Sequence, residues 1–167
     1  MPMNDSAQKR RPKKITKSYL YNAGLHYLQR FSASSGHFRF IMIQKIKRSC
    51  DAHPDQDMQA CIDMLEHQIK DFVETGMLND RAYATGMARS FHKRGLSTKA
   101  IQQKLRQKRL DKDHIEAAIE NLREETQGIN TELLAAVRLC RRKKIGPFVK
   151  THSPTQNSAQ EEDTYKQ

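Results

Sequence analysis

The chain has 167 residues, of which 37% are apolar, with no tryptophan, five prolines and seven glycines. That supply fits several thin helical modules better than one deep core, and the scarcity of turn formers argues against a sandwich or barrel. A formal net charge of +11 points to a polyanionic partner, while the longest purely apolar run, Phe40-Ile41-Met42-Ile43, is far too short to span a bilayer.

Residues 1–14 are polar and carry Lys9, Arg10, Arg11, Lys13 and Lys14, the composition of a disordered basic arm and not of a secretory signal. A first helix is expected from Ile15 to Phe31, with Leu20, Gly24, Leu25, Leu28 and Phe31 on one stripe. Ser34 is suited to cap a second, bearing Phe38, Ile41, Met42 and Ile46. After a loop at Asp51 to Gln56, Asp57 opens a third with Cys61, Ile62, Leu65, Ile69, Phe72 and Val73 at helical spacing, and Gly76 ends it. Asp80 is expected to cap a fourth helix (Tyr83, Ala84, Met87, Ala88, Phe91), closed by Gly95. Ser97 caps a fifth (Ile101, Leu105), and Asp111 a sixth (Ile115, Ala118, Ile119, Leu122). Asn130 or Thr131 opens a seventh (Leu133, Ala136, Val137, Cys140), stopped by Gly146-Pro147.

The order helix, cap, helix, turn, helix occurs twice. A shift of 63 residues places Tyr21 on Ala84, Gly24 on Met87, Leu25 on Ala88, Leu28 on Phe91, Ser34 on Ser97, Phe38 on Ile101 and Met42 on Leu105. A weaker third copy begins at Leu133, at a shift of 49, and ends after one helix. The expected fold is therefore all-α, built from tandem three-helix repeats. It comprises a basic arm at 1–14, repeat 1 at 15–76, repeat 2 at 77–126, a single helix of a truncated third repeat at 127–148, and a disordered tail at 149–167. Cys50, Cys61 and Cys140 are widely spaced and read as reduced thiols of a cytoplasmic protein.

Charge is segregated along the chain. Residues 81–109 hold Arg81, Arg89, Lys93, Arg94, Lys99, Lys104, Arg106, Lys108 and Arg109 and no acid, whereas residues 51–80 carry a net −7 and residues 110–126 a net −4. A second basic cluster holds Arg141, Arg142, Lys143 and Lys144, next to Arg138 and Lys150. A scheme of structural salt bridges would mix signs within each helix at spacings of three and four. Two acid-free helices instead suggest a surface for phosphates. With Ile101 and Leu105 inward, Lys99, Gln102, Gln103 and Arg106 point outward, so residues 80–109 also suit a helix-turn-helix that reads duplex DNA.

Catalytic signatures are missing: the chain contains no phosphate-cradling glycine loop, zincin helix or nucleophile elbow. Cys50, His53, Cys61 and His67 match no zinc spacing, and His26, His37, His92 and His114 have no catalytic companions and read as surface or boundary residues. No enzyme activity, metal or cofactor is expected.

The junction Gly76-Met77-Leu78-Asn79-Asp80-Arg81-Ala82-Tyr83-Ala84 resembles the hallmark of the RecX family, a Gly-x-Leu-(Asp/Asn)-Asp turn followed by an aromatic residue and alanine. Downstream, Arg94-Gly95-x-Ser97 with Ile101, Leu105 and Lys108 is similar to that family's second repeat. Ala23-x-x-x-Tyr27-Leu28-x-Arg30-Phe31 and Arg141-Arg142-Lys143-Lys144-Ile145-Gly146-Pro147-Phe148 fit one branch of it. The likeness covers residues 18–148. It implies a cytoplasmic, elongated, non-catalytic regulator of recombination and DNA repair. Such a regulator binds the RecA recombinase filament and its single- or double-stranded DNA, and damps ATP hydrolysis and strand exchange. A monomer without cofactor or membrane attachment is expected. Two departures stand out: Arg109 replaces the usual glycine after Lys108, which suggests a tighter link or a longer helix, and the third repeat is cut short.

Overall fold

A computed structural model describes residues 12–126 and 129–149. Seven α-helices follow one another: α1 (Lys17–Leu28), α2 (Ser35–Ala52), α3 (Met58–Glu74), α4 (Asp80–Lys93), α5 (Thr98–Gln107), α6 (Lys112–Glu125) and α7 (Thr131–Lys143), then a single 3-10 turn at Gly146–Phe148. No strand occurs among the described residues. Helices α1, α2 and α3 pack on one another, as do α4, α5 and α6, and α7 rests on α4. Each triad has its own core. The first gathers Leu20, Phe38, Met42, Ile46, Leu65 and Phe72. The second gathers Ala84, Ala88, Phe91, Ile101, Leu105, Ile115, Ile119 and Leu122.

Side-chain oxygens start most of the helices by accepting the otherwise unpaired N–H groups of the first turn. Thr16 accepts from Tyr19, Ser34 from His37, Asp57 from Gln59, and Ser97 from Ala100. The cap of α4 is Asn79 and not Asp80: Asn79 accepts from the Ala82 N–H, which leaves the Asp80 carboxylate for another use. Asp111 precedes α6 without a side-chain cap bond, and Asn130 accepts from Glu132 and Leu133 to open α7. Gly76 and Gly95 close α3 and α4 at φ of 74° and 78°, where a side chain would be strained.

The burial pattern corrects the register of the repeat. Leu20 and Gly24 are the buried residues of α1, and Ala84 and Ala88 are among those of α4, a shift of 64. Tyr21, expected opposite Ala84, is exposed. For the second helices Ser34, Phe38 and Met42 do match Ser97, Ile101 and Leu105 at 63, so the span from the first helix's buried positions to the second helix's cap is one residue longer in the first triad. Phe31 and Val73 lie outside the core at 53% and 50% exposure, and Gln68 takes a buried position on α3 instead.

The largest difference is in α7. Its buried residues are Thr131 and Ala135, while Leu133 and Val137 are 60% and 39% exposed. Polar and small groups dock this helix, and the apolar stripe expected to be its core faces outward.

Residues 12–14, expected within the basic arm, are held against the α2–α3 loop. His53 Nε2 bonds the Pro12 carbonyl at 2.8 Å, Ser49 Oγ donates to the Lys13 carbonyl at 2.8 Å, and Lys14 pairs with Asp55. Residues 1–11 of the arm and 150–167 of the tail lie outside the described residues. Arg109 takes φ of 58°, so the turn after α5 keeps the left-handed conformation suited to glycine without a longer helix: α5 ends at Gln107.

Candidate nucleic-acid interface

The nine basic side chains of residues 81–109 fall into different surroundings. Arg89 pairs with Glu125 of α6, its Nε donating at 2.7 Å, and the guanidinium holds the Glu125 carboxyl below the usual carboxylate range. Arg89 is thus neutralised locally. None of the other eight makes an ion pair among the described residues. Two other acids of α6 answer cations of their own helix, in Lys112–Glu116 and Arg123–Glu120.

Two basic groups converge around one ring. Phe91 is buried in the second core, with the Arg94 guanidinium 5.4 Å and the Lys104 ammonium 5.9 Å from its centroid. Lys93, at the end of the same helix, is close enough to Glu125 to lower its pKa further. The aromatic face attracts the two cations and fixes them without cancelling their charge. Along α5, Lys99, Gln103 and Arg106 are exposed. Gln102 is turned instead towards a shallow groove shared with Glu116, Glu120 and Arg123, so the outward quartet expected on α5 is reduced to three.

Lys108 and Arg109 stand apart from this group, at the seam between the two triads. Arg109 lies 4.0 Å above the Phe40 ring of α2, and the Lys108 carbonyl accepts from Ser34 Oγ. Burial, Lys108 and Arg109 together push the neighbouring His37 below its ordinary pKa. Arg81 is exposed at the start of α4.

The second cluster is carried by the last turn of α7. Arg141, Arg142, Lys143 and Lys144 are all exposed, and Arg141 lies 5.3 Å from the Phe148 ring. Arg142 lines a groove with Gly95, Ser97 and Ala100, which brings the end of α7 beside the start of α5. Cations at a helix C-terminus are also favoured by the helix dipole.

Sequence reasoning missed the residues that set α7 in place. His92, read as a surface or boundary residue, is buried between α4 and α7. Its Nε2 lies 3.0 Å from the Thr131 carbonyl and its Nδ1 2.7 Å from Arg138 Nη1. A carbonyl only accepts and a guanidinium only donates, so the imidazole is neutral with its proton on Nε2. The period of the buried positions Ala84 and Ala88 carries on to His92, and that signal was present in the sequence. Glu132 accepts from the Thr98 N–H at 2.9 Å and hydroxyl at 2.5 Å, and these bonds lower its pKa.

Among the described residues no group of three or more His, Cys, Asp or Glu side chains is placed to hold a metal ion, and no helix is long and apolar enough to cross a membrane.

Residues 79–119 match the family model described as RecX, second three-helix domain. The chain is 33% identical over 139 residues to the Regulatory protein RecX of Myxococcus xanthus (strain DK1622), an alignment covering 83% of this chain and 72% of that protein. No solved structure matches it.

Proposed function

The chain belongs to the RecX family of regulatory proteins, and from that premise we propose that it binds the RecA recombinase filament on DNA and inhibits its ATP hydrolysis and strand exchange. The observation that carries this reading is the unpaired charge of α4 and α5. Among the described residues, only Arg89 of the nine lysines and arginines at 81–109 makes an ion pair, and the cations around Phe91 are fixed rather than neutralised. A surface of this kind binds phosphate-rich polymers and loses affinity steeply as salt rises. Arg81, Lys93, Arg94, Lys99, Lys104 and Arg106 form its central part, with Lys108 and Arg109 at one seam and Arg141, Arg142, Lys143 and Lys144 at the other. In this reading residues 15–76, 77–126 and 127–148 are successive units of one scaffold. The protein acts in the cytoplasm, as a monomer and without catalysis.

The test is recombinase ATP hydrolysis on single-stranded DNA, with the wild-type chain and with Lys99→Glu/Lys104→Glu/Arg106→Glu. Wild-type protein is expected to inhibit, and the triple variant to fail with its helix content intact. Full inhibition by the variant would remove these residues from the interface.

A second reading is a sequence-reading helix-turn-helix over residues 80–109, favoured by the exposed Lys99, Gln103 and Arg106 on α5. Selective binding to one duplex sequence at physiological salt, with no recombinase present, would decide for it.

A further inference from the structure

Six of the eleven large apolar side chains exposed among the described residues lie between Ile129 and Val149. Leu133, Val137 and Cys140 follow one another along α7 at spacings of four and three, on the side turned away from α4. At the end of that stripe stand Arg141, Arg142, Lys143 and Lys144, exposed and without ion pairs among the described residues. The only acid of α7, Glu132, is engaged by Thr98. An occupant of this face must therefore bring carboxylates for one end and an apolar group for the stripe. A second α7 brings no free carboxylate.

The chain itself contains such an occupant. Beyond Val149 it carries Glu161-Glu162-Asp163, three consecutive acids, with the aromatic Tyr165 two positions later. Twelve residues lead from Val149 to Glu161, and for a random coil of that many residues the typical end-to-end distance is about 20 Å. That equals the length of a 13-residue helix such as α7, roughly 20 Å. A tether of this length holds its end at about millimolar effective concentration, enough to favour even weak contacts.

We propose that residues 161–165 dock on the outer face of α7, with the three carboxylates on the Arg141–Lys144 cluster and the Tyr165 ring on Val137 and Leu133. The segment then competes with a polyanion for the basic end of α7 and acts as a built-in restraint on binding. That consequence rests on the proposed function; the docking itself does not.

Cys140 lies on the covered stripe and reports directly. The full chain and Glu161→Gln/Glu162→Gln/Asp163→Asn are treated with N-ethylmaleimide at low salt, and labelling of Cys140 is followed by peptide mass. The variant is expected to label several-fold faster, and high salt to bring the wild type up to the same rate. Equal rates at low salt overturn the proposal. So does protection of wild-type Cys140 that grows with protein concentration, since a second copy would then be the cover. In parallel, the variant is expected to bind a single-stranded oligonucleotide several-fold more tightly at low salt. Faster labelling with unchanged DNA affinity supports the docking and removes the α7 cations from the proposed interface.

Discussion

Asp80, on the first turn of α4, accepts from both the backbone N–H of Ser35, at 2.7 Å, and its hydroxyl, at 2.5 Å. One triad thus caps the exposed start of a helix in the preceding one. Glu132 of α7 does the same for Thr98 on α5. The two joints differ in length of side chain but not in logic: a carboxylate from the next unit meets the N-terminus of the second helix of the unit before it. Helix N-termini favour negative charge, so each joint gains from both the hydrogen bonds and the dipole.

Replacing the first of these carboxylates tests the joint energetically. Asp80→Ala is expected to cost about 1 kcal/mol, the usual value of an N-terminal cap. Because Ser35→Ala removes only one of the two bonds, a double-mutant cycle in urea should show coupling of about 0.5 kcal/mol or more. Strict additivity would show that the hydroxyl bond contributes nothing.

The second joint predicts a pH dependence. Glu132 has its pKa lowered from 4.5 by its bonds to Thr98, so the folded state favours the ionised form. A depressed folded pKa gives stability that is present above the unfolded value and is lost as pH falls through the folded one. Amide exchange in α7 should therefore differ between wild type and Glu132→Gln near neutral pH, and the difference should shrink well below 4.5. A difference that persists unchanged in acid would contradict this assignment.

His92 is expected to govern the docking of α7 without affecting the second core. His92→Leu leaves the Thr131 carbonyl and the Arg138 guanidinium without their partner, at a cost of about 1–3 kcal/mol. Hydrogen exchange should speed up in α7 and remain slow in α5 and α6. Uniform acceleration throughout the triad would place His92 in the core energetics instead.

Gly36 marks the tightest approach at the first seam. A Cβ there would stand 2.4 Å from the Arg109 carbonyl oxygen, which belongs to a turn with little freedom to retreat. Gly36→Ala is expected to destabilise by roughly 1–3 kcal/mol, measured by denaturant unfolding. A neutral result would mean that the seam opens without loss.

Much of this architecture could be read from the residues. The periodicities of α5 and α6 placed Ile101, Leu105, Ile115, Ala118, Ile119 and Leu122 correctly in the core, because each of those helices has a single apolar face. Helix α7 was misread for the opposite reason. Its true contact face is made of Thr131, Ala135 and Arg138, and a polar docking surface leaves no hydrophobic period to follow. The charge segregation along the chain was visible, but which cations are neutralised was not. The bond between Arg89 and Glu125 spans 36 residues, beyond the reach of any local spacing rule. Arg109 shows the same limit: nothing in its side chain announces a left-handed backbone, and the stack on Phe40 that accompanies it comes from the other triad.

The two apolar cores have no residue in common, and a few polar bonds and one cation over a ring are among the contacts that join them. Stability in such an array is close to a sum of separate units plus a thin term for each junction. The chain should then melt in stages, with one half retaining its structure while the other is already open. If the chain lies along a nucleoprotein as proposed, it can bend or fray at a junction there without coming apart.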